Sequence, residues 1–225
     1  MSEETVPDGD GRVTVVIPCR NEAGSLPGVL GSVPPGYRVL VVDNGSDDGT
    51  AEVARALGAR VVDEPVPGYG AAVQRGVEVA GTPVVCVLDG DGSLDPGELP
   101  ALVALIEGGA DLAVGRRVPI RHSGWPLHAR VANAVIAARL RRRFGLAVHD
   151  IGAVRAARRD TLLALGVEDR RSGYPLELLV RAGRAGLRVE ERPVTYRPRT
   201  AGRSKVSGSL RGTVVATWDF LKVMR

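Results

Sequence analysis

Residues 83–91 read Pro-Val-Val-Cys-Val-Leu-Asp-Gly-Asp, an apolar run that ends in two acidic residues two positions apart. The apolar part has the length of a buried strand, and two carboxylates that follow it cannot both belong to the core. Hard divalent cations prefer oxygen ligands of this kind, and a nucleotide diphosphate needs such a cation. Asp89 and Asp91 are therefore candidate metal ligands, although two turn-forming acids would also explain an isolated Asp-x-Asp.

Similar apolar runs lie on both sides of this segment, and helix-like segments separate them. We predict strands over residues 13–17, 39–42, 60–62, 83–88 and 111–114. We predict helices over residues 26–33, 50–57, 71–80 and 99–106. Apolar runs that are continuous rather than alternating indicate a mostly parallel sheet covered by helices on both faces, which is a Rossmann-like α/β fold.

Four of the predicted strands run into segments that are rich in polar and charged residues. These segments are residues 18–22, 43–46, 89–91 and 115–117. Because ligands of parallel sheets bind past the carboxyl ends of the strands, all four segments open on one edge. A turn or a helix cap would explain each segment alone, and it is their clustering that predicts a nucleotide site.

Two further segments fit such a site. Residues 43–50 contain three acids and two glycines, more than one turn needs, and Asp43 can accept hydrogen bonds from a base or a ribose. Gly-Tyr-Gly at residues 68–70 opens a predicted helix, where glycines let backbone N–H groups approach a phosphate or ribose closely. Gly70 is therefore a candidate ligand of the nucleotide, but an ordinary loop is an equally good explanation of this pattern.

The second half of the chain has a different pattern. We predict a long helix over residues 127–144 with a basic end, helices over 160–165 and 176–185, and an edge strand over 187–190. A loop over 197–208 and an amphipathic helix over 210–223 complete the prediction. Asp150, two residues before Gly152, and Glu177, in the first turn of a helix, are candidate general bases. Helix-dipole complementarity is a sufficient alternative explanation for Glu177.

Composition limits the classes of function. The 225 residues carry a net charge of +4, which fits an anionic partner, and only 4% are aromatic, which disfavours single-stranded nucleic acid as that partner. The two cysteines lie in apolar strands, as expected in a reducing cytoplasm. No apolar run approaches the roughly 20 residues that span a bilayer. We therefore expect a cytoplasmic protein that contacts membranes only peripherally, on their cytosolic face.

Taken together, the motifs resemble those of glycosyltransferase family 2, and in particular its branch similar to dolichol-phosphate mannose synthase. The resemblance begins with Val-Val-Ile-Pro-x-x-Asn-Glu at 15–22 and Val-Val-Asp-Asn-Gly-Ser-Asp-Asp-Gly-Thr at 41–50. It continues with Gly-Tyr-Gly at 68–70 and Leu-Asp-Gly-Asp-Gly-Ser at 88–93. Later matches are residues 115–117, 130–133, 150–155 and Gly-Arg-Ser-Lys at 202–205. The resemblance thus covers nearly the whole chain.

This resemblance implies an A-type glycosyltransferase fold, a nucleoside diphosphate sugar donor, and Mg²⁺ or Mn²⁺ at Asp89 and Asp91. The residues expected to bind the nucleotide sugar are Pro18, Arg20, Asn21, Glu22, Asp43, Gly45, Gly70, Asp89 and Gly90. Those expected to act in catalysis are Asp91, Arg117, Asp150 and Glu177. Those expected on the acceptor and phosphate side are Arg130, Arg155, Arg199, Ser204 and Lys205.

The resemblance also implies a division of the chain. Residues 12–117 would bind the nucleotide sugar, and residues 118–198 would form the acceptor-binding half of the same domain. Residues 1–11 would be a flexible segment, and 199–225 a basic loop with a C-terminal helix. The departures from the family pattern are Gly90 for Ala, Arg116 for Ser, and divergent segments at 150–155 and 174–177. Because the last two departures lie in the second half, acceptor identity is the least determined property.

We expect inverting, in-line transfer of a hexosyl unit, in which a cation and Arg117 stabilise the leaving diphosphate. The most favoured acceptor is a polyprenyl phosphate, whose anionic oxygen needs no base. A soluble hydroxyl acceptor would need Asp150 or Glu177 as the base. The alternative from another class is a nucleotidyl-transferring or non-catalytic nucleotide-binding domain. The absence of a Gly-rich, basic loop after the first strand counts against it.

Overall fold

The structure is a computed structural model of the chain, and it describes residues 11–120, 125–152 and 154–200. The expected N-terminal segment, apart from Gly11, and the C-terminal helix, Ser204 and Lys205 lie outside these residues. Seven strands and seven α-helices follow one another within the described ranges. They form one sheet with a helical layer on each face.

The first half of the chain has the predicted alternation. Its elements are β1 Val13–Cys19, α1 Leu26–Gly31, β2 Arg38–Asp43, α2 Thr50–Ala56, β3 Arg60–Asp63, α3 Tyr69–Val79, β4 Val84–Val87, a 3₁₀ turn Pro96–Glu98 and α4 Leu99–Glu107. The elements of the second half are β5 Leu112–Pro119, α5 Leu127–Phe144, β6 Val154–Arg158, α6 Arg159–Ala164, α7 Tyr174–Arg184 and β7 Val189–Tyr196. The prediction of α5 is confirmed at both ends.

The strand order is β3-β2-β1-β4-β6-β5-β7, and six of these seven described strands run in the same direction. The exception is β6, which pairs antiparallel with both β4 and β5. The carboxyl ends of the six parallel strands and the amino end of β6 therefore lie at the same edge. The expected mostly parallel α/β sheet is confirmed.

Alternate side chains of the central strands enter two separate cores. Val16, Leu40 and Val87 pack with residues of α3, α6 and α7 on one face. Ile17 and Cys86 pack with residues of α1, α2 and α4 on the other face. Both cysteines are buried and form no disulfide, as the sequence predicted. Burial on both faces explains why the strands read as continuous apolar runs.

The sequence analysis missed β6. Its residues, Val-Arg-Ala-Ala-Arg, combine two alanines with two arginines, which is not a typical strand composition. Ala156 and Ala157 are nevertheless fully buried, because β6 is inserted between β4 and β5 with helices on both sides. Tertiary packing therefore overrides the local preference.

Two strands are longer than predicted, and this changes the position of Arg117. The pairing of β5 with β7 continues over eight residues, from Leu112 with Val189 to Pro119 with Tyr196. The prediction that strand five ends at residues 115–117 is wrong. Arg117 lies inside β5, opposite Val194, so that its backbone is fixed by the sheet.

α5 is the longest helix described, with 18 residues. It ends at Gly145, whose φ of 68° is in the left-handed region that glycine adopts at helix ends. Three arginines in its last turn complement the helix dipole. None of the described helices is both long and apolar enough to cross a membrane.

Close packing of α3 on the sheet gives a stability prediction. A Cβ on Gly76 would lie 2.2 Å from Val16 Cγ1 and 3.1 Å from Val42 Cγ2. We expect Gly76→Ala to lower the free energy of unfolding by about 1–3 kcal/mol, because the buried valines cannot move freely. Urea unfolding measures this change. Gly28→Ala in α1 is the matched control, since nothing lies within 4 Å of that position, and equal effects of the two variants would contradict the packing argument.

Candidate functional site

The site lies at the edge where the parallel strands end. Glu22 follows β1, Asp43 ends β2, and Asp89 and Asp91 follow β4. Asp150 precedes β6 at the same edge. The structure thus brings together the acidic segments that the sequence placed at strand ends.

Asp91 is held firmly in its loop. Only 4% of its surface is exposed, and its Oδ1 accepts a hydrogen bond from the backbone N–H of Ser93 at 2.8 Å. Its Oδ2 lies 3.0 Å from Nη2 of Arg199. Oδ1 therefore stabilises the turn. Oδ2 faces a positive charge, which in this structure is the guanidinium of Arg199.

The carboxyl group of Asp89 is strongly perturbed by its surroundings. Burial, and then the charge of Asp91, raise the pKa of Asp89 to about 7. Three positive charges oppose this rise, and they belong to Arg155, Arg199 and Arg117. A carboxyl pair that needs this much positive charge around it is suited to bind a cation.

Gly90 allows the loop to lie directly on the end of β1. A Cβ at this position would lie 2.7 Å from Sγ of Cys19, and the carbonyl of Gly90 accepts a hydrogen bond from Oγ of Ser25 at 2.7 Å. The departure from alanine at this position is therefore matched by the neighbouring Cys19. Gly90 supports the loop through its backbone.

The segment after β7 crosses the Asp-x-Asp loop. Arg197 N–H donates to the carbonyl of Ser93 at 2.9 Å, and Thr200 N–H donates to the carbonyl of Asp91 at 3.1 Å. Between them, Arg199 reaches Asp91 and lies 4.0 Å from Oε1 of Glu22. The basic segment is thus fixed at the mouth of the site.

Arg117 and Asp150 form a bidentate pair. Nε and Nη2 of Arg117 donate to the two carboxylate oxygens of Asp150 at 2.8 and 2.7 Å, and its backbone N–H donates at 2.8 Å. Burial alone would raise the pKa of Asp150, but the bonds and charge of Arg117 outweigh it and lower the pKa. A general base works best with a pKa near the working pH. This geometry favours positioning of Arg117 over the base role that we expected of Asp150.

Two aromatic rings complete the surroundings of Arg117. Its guanidinium carbon lies 4.1 Å from the ring centroid of Trp125 and 5.7 Å from that of Tyr196. The two rings meet edge to face at 5.6 Å. A planar guanidinium that pairs with a carboxylate and stacks on aromatic faces is held in one orientation.

Glu191, on the neighbouring strand β7, holds the Asp150 segment in place. Its Oε1 accepts a hydrogen bond from the backbone N–H of Asp150 at 3.0 Å, and its Oε2 lies 2.9 Å from Nδ1 of His149 and 3.6 Å from Nε of Arg116. The sequence analysis missed Glu191, because a single acid in an edge strand carries no distinguishing pattern.

Arg155 is the most unusual charge in the described structure. It is 1% exposed on β6, and its Nη2 donates to the carbonyl of Gly152. Its Nε and Nη1, like the hydroxyl of Tyr174, are buried and have no hydrogen-bond partner among the described residues. Burial raises the pKa of Tyr174 to about 12 and also raises that of Tyr69, on which the charges of Asp89 and Arg155 act. Unpaired buried donors of this kind indicate a place for a polar or anionic ligand.

Asn21 fastens two loops together. It has a φ of 57°, and its side chain exchanges two hydrogen bonds with Asp47, at 2.8 and 3.0 Å. Its backbone N–H donates to Ser46, whose hydroxyl and N–H in turn contact Asp43. The amide of Asn21 therefore holds the loop after β1 against the loop after β2, and Asp43, at the end of β2, is 8% exposed.

The remaining predicted nucleotide residues lie around the same loops. Pro18 is partly buried within β1, and Arg20 is exposed just after it. Gly45, with a φ of 76°, forms the turn after β2. All three residues are close neighbours of Asn21 or Asp43 in the sequence and belong to the same two segments of the chain.

Gly70 has a different role from the one we expected. Its N–H donates to the carbonyl of Arg171, and the next N–H of α3 donates to that of Arg170. A Cβ on Gly70 would lie 2.3 Å from the carbonyl oxygen of Asp169. The missing side chain therefore allows loop 169–171 to pack on the helix, and these N–H groups are not free to bind a phosphate.

Glu177 braces that same loop. Its carboxylate accepts hydrogen bonds from the N–H groups of Glu168 and Asp169 at 3.0 and 2.7 Å, and it pairs with Arg181. Burial would raise its pKa, but these bonds lower it. The carboxylate that we expected to act as a base is thus engaged in the scaffold.

The last predicted residue, Arg130, lies exposed on α5. Within the part of the chain that the structure describes, no hydrogen bond or ion pair joins Arg130 to the acidic loop. The same part contains no group of three or more His, Cys, Asp or Glu side chains arranged to hold a metal. The assignment of Asp89 and Asp91 as metal ligands therefore stays a prediction, and among the described residues no third such side chain joins them.

Aromatic residues are the signal that sequence reasoning overlooked. The chain has two Trp, four Tyr and two Phe, and half of these eight surround Arg117 and Arg155. They are Tyr69, Trp125, Tyr174 and Tyr196. The low aromatic content suggested that few side chains could stack on a ligand. The few aromatic residues of the chain are nevertheless concentrated around these two arginines.

Comparison with known proteins identifies the family. The family model described as glycosyl transferase family 2 matches residues 14–166. This chain belongs to glycosyltransferase family 2. It is 61% identical, over 94% of its length and 97% of the relative, to an uncharacterized glycosyltransferase of Mycobacterium tuberculosis. It is 36% identical, over 88% of its length and 82% of the relative, to the polyprenol monophosphomannose synthase of Mycolicibacterium smegmatis.

A solved structure supports the fold. Glucosyl-3-phosphoglycerate synthase of M. tuberculosis, in complex with Mn²⁺, UDP-glucose and phosphoglyceric acid, superposes with a TM-score of 0.78 at 22% identity. The match covers 99% of this chain and 84% of that one. The expected A-type glycosyltransferase fold is confirmed, and the protein is a glycosyltransferase.

The bonds of Glu177 lead to a prediction on acid stability. A folded-state pKa below the unfolded value gives stability that is fully present above about pH 4.3 and is lost as the pH falls through the folded pKa. We expect Glu177→Gln to lower the melting temperature at pH 7 by about 2–4 °C, and the difference from wild type to shrink below about pH 4. Thermal unfolding across pH checks this. Glu168→Gln is the control, since its side chain is 82% exposed, and a pH-independent loss in Glu177→Gln would oppose the assignment.

Proposed function

We propose that this glycosyltransferase transfers a hexosyl unit from a nucleoside diphosphate sugar to a polyprenyl phosphate, with inversion at the anomeric carbon. The observation that carries the proposal is the occupation of both candidate bases: Asp150 is paired with Arg117, and Glu177 with Arg181. A hydroxyl acceptor requires a carboxylate that can take a proton, whereas a phosphate oxygen is already anionic.

The acidic loop fits a divalent cation. Carboxylate oxygens of Asp89 and Asp91 are the ligands that Mg²⁺ and Mn²⁺ prefer, and a diphosphate would complete the ligand set. When bound, such a cation neutralises charge on the leaving diphosphate. The solved structure of similar fold was obtained with Mn²⁺ and UDP-glucose, which is consistent with a nucleotide-sugar donor here.

The arginines near Asp89 supply fixed positive charge. Arg117, held by Asp150 and two aromatic rings, is positioned to stabilise developing negative charge without reorganisation. Arg155 has unpaired buried donors that a phosphate or a sugar hydroxyl would satisfy. We assign Arg117 to the leaving diphosphate and Arg155 to the sugar or the acceptor phosphate.

The relative that is named polyprenol monophosphomannose synthase supports a lipid-phosphate acceptor. Its identity of 36% extends over most of both chains, so that the likeness includes the second half, where acceptor residues are expected. The class of nucleotidyl-transferring or non-catalytic domains is no longer retained, because the chain belongs to a glycosyltransferase family.

Donor screening in the presence of Mn²⁺ or Mg²⁺ tests the proposal. Each nucleoside diphosphate sugar is incubated with a short-chain prenyl phosphate or with a soluble hydroxyl acceptor, and released nucleoside diphosphate is measured. We expect turnover with the prenyl phosphate and an inverted anomeric centre in the product by NMR. Equal transfer to the hydroxyl acceptor, or a product with retained configuration, would overturn the proposal.

Asp91→Asn is the matching variant for this assay. We expect it to lower kcat by a factor of at least about 10³ while the fold remains intact, because a neutral amide loses the charge that holds the cation. Asp160→Asn, whose carboxylate belongs to α6 and is 97% exposed, is the control and should keep full activity. Full turnover of Asp91→Asn would remove Asp91 from the metal site.

The contact of Arg199 with Asp91 predicts competition between arginine and cation. Because Nη2 of Arg199 lies 3.0 Å from the oxygen that a cation would use, Arg199→Gln should bind Mn²⁺ about two- to fivefold more tightly without nucleotide. Electron paramagnetic resonance of free Mn²⁺ measures this affinity directly. Arg197→Gln, which removes the ion pair with Asp95, is the control. Unchanged Mn²⁺ affinity in Arg199→Gln would exclude the competition.

A further inference from the structure

One side of α5 carries a row of exposed apolar side chains, with exposed arginines around it. Leu127, Val131 and Val135 are 72%, 56% and 63% exposed, and we call this stripe the outward face of α5. Their spacing of four residues places them along one side of the helix. The opposite side carries the buried residues Asn133, Ala137 and Leu140, so the helix packs on the rest of the protein without using the outward face.

Exposed apolar side chains are concentrated in this region. Seven large hydrophobic residues are exposed in the described chain, and five of them fall between positions 118 and 135. The two besides the outward face are Val118 and Ile120, at the end of β5 and just beyond it. Most of the exposed large hydrophobic residues thus belong to one stretch of the chain, and apolar side chains that are exposed together mark an interaction site, whereas scattered ones need no explanation.

The charge of α5 restricts the partner. Its 18 residues include five arginines and no acidic residue. Arg130, Arg139 and Arg142 are exposed. A second copy of the chain would bring ten arginines together without a counter-charge, which disfavours self-association through this helix. A surface that is apolar within and anionic at its boundary matches both properties, and a bilayer with anionic lipids is such a surface.

The position of α5 connects this face to the site. Trp125, two residues before Leu127, lies over Arg117 at 4.1 Å. Tryptophan is enriched where proteins meet the boundary between lipid and water. The outward face therefore begins at the rim of the site, where the head of a lipid phosphate would have to enter.

We propose that the outward face of α5 docks on an anionic bilayer, with the helix parallel to the surface and the Arg117 site at the level of the lipid headgroups. The docking surface comprises Leu127, Val131 and Val135, with Arg130, Arg139 and Arg142 toward the headgroups. This proposal rests on the proposed lipid-phosphate function, for which the bilayer would present the acceptor. Binding of the protein to a bilayer can nevertheless be measured without any turnover.

Vesicle flotation tests this docking. Wild-type protein is mixed with vesicles of phosphatidylcholine and phosphatidylglycerol, or of phosphatidylcholine alone. We expect binding at least about tenfold stronger to the anionic vesicles, and a tenfold loss in the double variant Leu127→Ser, Val131→Ser. The double variant Leu57→Ser, Val66→Ser changes two exposed apolar residues elsewhere and should bind as wild type. Circular dichroism verifies that both variants are folded.

The outcomes separate docking from catalysis. The α5 variant should still transfer sugar to a short-chain prenyl phosphate in solution, and lose transfer to a long-chain acceptor in anionic vesicles. Full vesicle binding by the α5 variant would overturn the docking surface. So would a wild-type dimer in sedimentation that the α5 variant abolishes, since the face would then bind a second copy. Failure of all transfer with normal vesicle binding would overturn the proposed function and leave the docking intact.

Discussion

Asp89 and Asp91 concentrate negative charge in a largely buried loop, and the other parts of the site can be understood as responses to that charge. Water cannot solvate it fully, which is why the pKa of Asp89 rises to about 7. Compensation comes from three arginines on three different elements: Arg117 on β5, Arg155 on β6 and Arg199 after β7. The two aspartates follow a strand of the first half of the chain, and the three arginines all come from the second half.

Each arginine is held in a different way. Arg117 has a carboxylate, a β-strand backbone and two aromatic rings to fix it, and Glu191 fixes the Asp150 corner in turn. Arg155 is fixed by burial and retains unpaired donors. Arg199 is partly exposed and pairs directly with Asp91. The site therefore contains one rigidly held arginine, one buried arginine with unpaired donors, and one arginine that a metal ion could displace.

The first half of the fold was predictable because its physics is local and repetitive. Continuous apolar strands, helices of ordinary length and polar strand ends together locate Asp43, Asp89 and Asp91 at one edge. The second half was less predictable for specific reasons. β6 consists of alanine and arginine and becomes a strand only between its neighbours, and the role of Glu191 depends on contacts 41 and 42 residues away. The N–H groups of Gly70 and Ala71 donate to the carbonyls of Arg171 and Arg170 in a distant loop, which no local pattern reveals.

The reversed direction of β6 separates the two halves of the site in an unexpected way. On β1, β2 and β4, the acidic residues of the candidate site lie at or just after the end of the strand, whereas the segment 149–152 comes before β6 and still reaches the same edge. Its hydrogen bonds come from Arg117 on β5, Glu191 on β7 and Asn133 on α5. Under the proposed function, sequence change in this segment would alter the acceptor side while the nucleotide side stays unchanged. Such modularity would let one scaffold diversify its acceptors without rebuilding its donor pocket.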